Sequence, residues 1–330
     1  MLGGFLALLS AATFAFNNAS LRRGVLTGSV AQAMAITVPI GVPIFLLAAV
    51  ATGTLAGVSG FSPDAVLILC TAGVIHFIWG RYCNYRATRA IGANLAAPVQ
   101  QVNLIISLVL AIWILGESLT PLRILGIGLV LLGPYYALRT KKEPAVATEN
   151  AVKAETKPAV FQPRYAEGIL FALLSATGYG TSPILVRLGL EGKGLAASIP
   201  GGLISYGAAT AAMALFLLWP GKLRHALAVK PESAKWFTIS GVLVCLSQMF
   251  LYMAMSIAPV TVVSPISRIS VMFRLYFSRL LNPDHEVFGG RVIVGTVISL
   301  VGALALSVST EAVGTMLPAA WLPVLHWQWP

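Results

Sequence analysis

A small set of side chains able to bind a polar solute stands inside the most apolar stretches of the chain. Gln100, Asn103 and Ser107 recur at i, i+3 and i+7, which puts them on one face of a helix. Ser267, Ser270 and Arg274 repeat that interval further on, and Gln101 and Arg268 occupy matching positions beside the two stripes. Amides and hydroxyls both donate and accept hydrogen bonds, and a guanidinium grips carboxylate or phosphate through paired, directional bonds. Such groups are costly in hydrocarbon, so they face either a cavity or a partner helix. The alternative to a solute cavity is interhelical hydrogen bonding, about 1 kcal/mol per bond. Arg268 and Arg274 have no nearby Asp or Glu in sequence. Each must therefore meet an anionic solute, reach helix-end carbonyls, or snorkel to the interface.

Other candidates fall at similar intervals. Arg81 and Tyr85 lie one turn apart, as do Gln248 and Tyr252. They could orient the polar end of a ligand while Trp79, Tyr179 or Tyr206 form an apolar wall, or the tyrosines could anchor the chain at the headgroups. Asn17 and Ser182 are further candidates. His76, deep in an apolar run, has a side chain that could exchange protons near neutral pH or simply pack.

What is missing is equally informative. No Asp or Glu stands near the middle of an apolar run, which disfavours a pump that trades protons for lipophilic cations at an embedded acid. No HExxH, paired carboxylates or Ser-His arrangement stands out, so catalysis is not expected. Cys70, Cys83 and Cys245 lack CxxC spacing and read as packing residues. Neither a metal nor another cofactor is expected.

The elements that position these residues are membrane helices. Of 330 residues, 57% are hydrophobic and 10% charged, against about 25% charged in soluble domains. Mean hydropathy is +0.84. The net charge of +11 is scattered through short connections, which fits the positive-inside rule and not a nucleic-acid surface. Apolar runs near 2–20, 31–51, 64–88, 93–115 and 121–139, then 165–188, 198–219, 234–257, 260–281 and 288–309, give ten expected spans. The first run lacks a basic leader and precedes Arg22 and Arg23, so it is expected to stay in the mature chain. Residues 140–164, rich in Lys, Glu, Ala and Pro, read as a flexible charged linker. Residues 310–330 carry Trp321, Trp327 and Trp329 among prolines and read as an interfacial or disordered tail.

The spans fall into two copies, 1–139 and 165–309. Leu6-Ala7-Leu8-Leu9-Ser10-Ala11 reappears as Phe171-Ala172-Leu173-Leu174-Ser175-Ala176, with Arg22 opposite Arg187. Tyr85 then pairs with Tyr252, Ala97-Pro98-Val99 with Ser264-Pro265-Ile266, and Glu117, Gly126 and Gly133 with Glu286, Gly295 and Gly302. An odd number of spans per copy makes the second enter the membrane from the opposite side. The expected fold is thus an all-α membrane protein of ten transmembrane helices, arranged as two inverted five-helix repeats. Inverted repeats are typical of secondary transporters, whose site lies at the repeat interface.

Leu115-Gly116-Glu117-Ser118-Leu119-Thr120, followed by Gly126 and Gly133, resembles the ending of an EamA domain of the drug/metabolite transporter superfamily. The second copy keeps Glu286, Gly295 and Gly302, with Asp284-His285 in place of Leu-Gly. Phe14-Ala15-Phe16-Asn17 and Tyr179-Gly180-Thr181-Ser182 resemble the first-helix signature without its Trp. The resemblance implies a metabolite transporter in an inner membrane. With the absent carboxylates, the expected solutes are small polar metabolites such as amino acids or related carboxylates. A non-transporting scaffold or receptor, or a membrane enzyme acting on lipid-linked substrates, are the competing classes. Charge bias puts the linker in the cytoplasm and both termini outside. Glu117 and Glu286 are expected to tie helix ends and the paired glycines to pack helices. Membrane lipids surround the bundle, and a monomer or a homodimer satisfies these expectations equally.

Overall fold

The computed structural model describes residues 2–115, 120–139, 161–191, 193, 195–257, 263 and 266–307. The linker up to residue 160, the tail, Glu117 and the Tyr252 side chain lie outside the described residues. All regular structure among the described residues is helical: α1 Leu2–Thr27, α2 Val30–Thr37, α3 Gly41–Ala51, α4 Pro63–Gly73, α5 Arg81–Gln100, α6 Val102–Leu115 and α7 Pro121–Leu138. The second copy supplies α8 Tyr165–Gly189, α9 Ser198–Leu217, α10 Lys222–Leu227, α11 Pro231–Ile257, α12 Ser270–Leu281 and α13 Gly290–Ser307. A π-helical turn, Val74–Gly80, joins α4 to α5.

Local sequence sets the boundaries. Ser62-Pro63 and Thr120-Pro121 place a capping hydroxyl just before a proline, and both hydroxyls accept a backbone N–H from the first turn. Ser29 and Gln32 close a reciprocal capping box on α2.

Among the described residues, eight helices are long and apolar enough to cross a bilayer. They fall short of the ten expected spans for two reasons. The stretch Pro63–Gln100 counts as one helix of 38 residues, nearly twice the roughly 20 that a crossing needs. Gly92, at φ 82°, bends it sharply between the expected third and fourth spans. In addition, α6 and α12 cover only 14 and 12 residues, and parts of the expected fourth and ninth spans lie outside the described residues. Large apolar side chains point outward, Trp113 being 88% exposed, as lipid permits and water would not.

The two copies meet head to tail. On α7 and α13 the glycines interlock reciprocally. A Cβ on Gly133 would lie 2.6 Å from the Gly295 carbonyl oxygen, and one on Gly295 would lie 2.6 Å from that of Gly133. Gly126 and Gly302 repeat the arrangement at 3.0 and 2.9 Å. Since Gly126 matches Gly295 and Gly133 matches Gly302 in the repeat, equivalent helices cross antiparallel about a local twofold axis. The first helix of each copy packs on the third span of the other in the same sense. Along α1 and α11, Ser10 meets Ser247 at 2.8 Å, Asn17 meets Ser240 at 2.6 Å and Thr27 meets Ser233 at 2.7 Å. Along α8, Ser182 meets His76, while Leu174 accepts from Trp79.

Gly128 shares α7 with Gly133, but nothing lies within 4 Å of where its Cβ would be. Gly133→Ala is expected to lower the unfolding temperature in detergent by several degrees. Gly128→Ala should leave it unchanged or raise it, since alanine favours a helix by about 1 kcal/mol over glycine. Thermal unfolding of both variants checks this, and equal shifts would contradict the close crossing.

Candidate functional site

Between the copies lies a cavity of about 450 Å³, walled by α1, α3, α4, the π turn, α5, α6, α8, α9, α11 and Arg268. Of the residues singled out from sequence, Asn17, His76, Arg81, Tyr85, Asn103 and Ser107 line it, with Tyr179, Ser182, Tyr206, Gln248 and Arg268 from the second copy.

Arg81 is fully committed to the fold. Its guanidinium donates to the Thr37 carbonyl at 2.9 Å and the Tyr206 hydroxyl at 3.1 Å, and lies 4.9 Å from the Phe77 ring centre. Phe77 and Tyr206 stack with ring centres 3.9 Å apart. Tyr85 donates to the Thr37 hydroxyl at 2.9 Å. His76 Nδ1 lies 2.6 Å from the Ser182 hydroxyl, its ring 4.7 Å from both Phe77 and Tyr179. The π turn carries His76 and Phe77, and such turns recur at functional sites.

Arg268 has no hydrogen bond, ion pair or aromatic contact among the described residues, and its Nε is buried without a partner. Among the described residues, none that lines the cavity is Asp or Glu, and the Arg268 cation in its wall meets no counter-charge.

The remaining expected residues sit elsewhere. Gln100 and Arg274 are buried behind the wall, where Arg274 donates to Gln100 at 3.3 Å. Gln101 is buried, Ser267 donates to Val263 within its own turn, and Ser270 is buried at the start of α12; none of the three lines the cavity. The reason is shared by both copies. The Gln101 and Leu104 amides bond three residues back, to Pro98 and Gln101, and the Ile269 and Met272 amides do so to Ile266 and Ile269. These tight turns fall within one residue of equivalent positions and rotate the polar stripes out of register. Asn103 and Ser107 therefore stay on the cavity side while Gln100 does not. Trp79 is not part of the wall: it is 49% exposed and donates to the Leu174 carbonyl on the outer surface. Tyr206 is in the wall, as are Phe14, Phe45 and Asn84. Asn84 was legible in principle, since it lies three residues after Arg81 and beside Tyr85 in one apolar run.

The cavity reaches Leu69, Leu190 and Ser198, where α8 gives way to α9. The opposite end is closed. Arg22, 1% exposed, donates to the carbonyls of Thr88, Arg89 and His285 and lies 3.5 Å from a Glu286 oxygen. Phe161 covers its guanidinium at 4.2 Å. Glu286 in turn accepts the amides of Ala93 at 2.6 Å and Asn94 at 3.1 Å, tying the restart of the chain after Gly92.

An apolar helical bundle whose two antiparallel copies enclose a mostly hydrophobic cavity with a few polar groups is the architecture of a membrane transporter. Consistent with that class, the sequence profile described as the EamA-like transporter family matches residues 1–139 and 166–308. The chain belongs to that family, and is a multi-pass membrane transporter of the drug/metabolite transporter superfamily. No curated protein matches the sequence. A solved structure described only as "Crystal structure of protein" aligns with a TM-score of 0.48 at 18% identity, over 92% of this chain and 94% of its own.

The two cavity arginines should respond oppositely to neutralisation. Arg81→Gln strands the Thr37 carbonyl and the Tyr206 hydroxyl, about 1–3 kcal/mol for each buried group left unpaired. Arg268→Gln removes only an unpaired buried cation. Unfolding in detergent should show Arg81→Gln clearly destabilised and Arg268→Gln as stable as the parent or more so; the reverse order would refute these assignments.

Proposed function

We propose that the protein is a secondary transporter that moves small polar metabolites, such as amino acids or related carboxylates, by alternating access. The observation that carries this is Arg268. Leaving a cation in a low-dielectric wall is costly unless something neutralises it. With no carboxylate among the described residues of the wall, the solute is the natural source of that charge. The surrounding Phe, Tyr and Leu side chains suit the apolar body of such a solute, and the hydroxyls and amides suit its polar atoms.

The ten expected crossings, the cytoplasmic linker and the outward-facing termini complete this proposal, with the inner membrane as its site. In that orientation the Arg22–Glu286 closure lies on the cytoplasmic side and the cavity extends toward the outer side. Transport then requires that closure to part while the α8–α9 end shuts.

The test is uptake into liposomes of labelled amino acids and organic acids, with and without a pH gradient. Arg268→Gln is expected to reduce transport of anionic solutes about tenfold to hundredfold, the effect of losing roughly 1.4–2.8 kcal/mol of binding. Neutral solutes should be less affected. Equal transport of anions by the variant would remove the basis for the proposed solute class.

A further inference from the structure

One chain of hydrogen bonds runs from behind the wall into the cavity, and its direction is fixed at a single end. Arg274 donates to Gln100 Oε1 at 3.3 Å, Gln100 Nε2 donates to Asn84 Oδ1 at 2.5 Å, and Asn84 Nδ2 donates to the Tyr179 oxygen at 3.4 Å. A guanidinium carries five N–H groups and no acceptor. Gln100 must therefore turn its oxygen to Arg274 and its NH₂ to Asn84. Asn84 must in turn offer its oxygen to Gln100, where the Thr88 hydroxyl also points at 3.4 Å, and its NH₂ to Tyr179. The Tyr179 oxygen is thus occupied as an acceptor, and its own proton is left to point elsewhere. Both Asn84 and Tyr179 line the cavity.

We propose that Arg274, Gln100 and Asn84 form a one-way relay that makes the Tyr179 hydroxyl a hydrogen-bond donor into the cavity, where with Arg268 it binds the oxygens of a carboxylate or phosphate. Arg274 and Gln100 are positioning residues that act through Asn84; Tyr179 and Arg268 touch the solute. This assignment rests on the transport reading above and deepens it. It accounts for a second buried arginine, Arg274, that does not itself line the cavity. Polarity imposed at a distance by a group that can only donate is a general property of amide chains, because each amide reverses only as a whole.

The experiment uses the full chain in liposomes with labelled L-glutamate, benzoate and inorganic phosphate as probes and glycerol as an uncharged control. For the anion that the parent transports best, Tyr179→Phe and Arg274→Met should each raise KM about tenfold, the weight of one hydrogen bond to a charged group. The maximal rate should stay within about twofold, and the double variant should be no worse than the weaker single one, as for residues acting in series. Gln100→Glu keeps a partner for Arg274 but has no N–H for Asn84. It lets Asn84 turn over and accept the Tyr179 proton, so it should reproduce the KM loss even if Arg274→Met fails to fold. Arg274→Lys, also a pure donor, should restore part of the affinity. Independent, multiplying effects of Tyr179→Phe and Arg274→Met, or unchanged KM in Gln100→Glu, would overturn the relay while leaving the transport reading intact. A parent protein that carries none of the three anions would defeat the transport reading and the relay with it.

Discussion

Hydrocarbon gives a buried charge no solvent to fall back on, and the helices of this bundle are arranged around the ways in which four arginines cope with that. Arg22 is surrounded by main-chain carbonyls and one carboxylate; Arg81 has a carbonyl, a phenol and an aromatic face; Arg274 has an amide. Arg268 has none of these. The first three hold helices from both copies in place: Arg22 ties α1 to α5 and to the segment before α13, Arg81 ties α5 to Thr37 and α9, and Arg274 ties α12 to α5. An arginine suits this role because its planar fork keeps several donors in fixed directions and resists deprotonation. Arg274 also leaves its Nε unpaired, but among the described residues only Arg268 of the four makes none of these contacts, which is why the proposed solute is placed beside it.

The closed end depends on backbone geometry as much as on charge. Gly92 adopts φ 82°, a conformation that other residues rarely accept, and a side chain there would run into the Glu286 carboxylate. The bend lets Ala93 and Asn94 present free amides to that carboxylate, an anion at the start of a helical segment, where its charge is favoured. Arg22 then joins α1 to the same carboxylate. Three segments distant in sequence therefore share one small charged knot, and they cannot separate singly. Parting this end means moving α1, the bend and the segment before α13 together, which favours a concerted change over local fraying.

Much of this was legible in the sequence. The apolar runs placed most helices, the duplicated Leu-Leu-Ser-Ala and glycine patterns announced the two copies, and of the two lone apolar-run cations Arg268 lies in the wall and Arg274 behind it. What was not legible were local changes of helical pitch. A residue inserted by a π turn shifts everything beyond it by about 100° around the helix. The turn at Val74–Gly80 carries no proline to announce it, so nothing in its residue types sent Trp79 outward and His76 inward. Pro98 and Pro265 stood out in the sequence only as matching repeat positions. The tight turns that follow at Gln101 and Ile269 nevertheless decide that Asn103 faces the cavity while Gln100 and Ser270 do not. Asn84 was passed over because its neighbours Arg81 and Tyr85 looked chemically richer, yet it joins the wall to the groups behind it.

The two copies also differ where symmetry would make them equal. Asn17 and Ser182 are equivalent positions, but Asn17 accepts from Ser240 inside a tight run of polar contacts between α1 and α11, whereas Ser182 faces His76 at the cavity edge. The counterpart of Ser240 in the first copy is Gly73, which brings the Ser205 backbone close instead of supplying a hydroxyl. Exchange between two symmetric states would be balanced if these interfaces were interchangeable. They are not, because one is joined by a ladder of buried serine and asparagine hydrogen bonds, and the other by the His76–Ser182 contact, hydrogen bonds from Trp79 and Asn84 and the partly exposed Arg86–Glu167 ion pair. Under the proposed cycle, opening either interface breaks polar contacts that hydrocarbon does not replace, and the two sets differ in kind and in exposure. Duplication thus supplies two related interfaces, and divergence at Asn17, Ser182, His76 and Gly73 makes them chemically unequal.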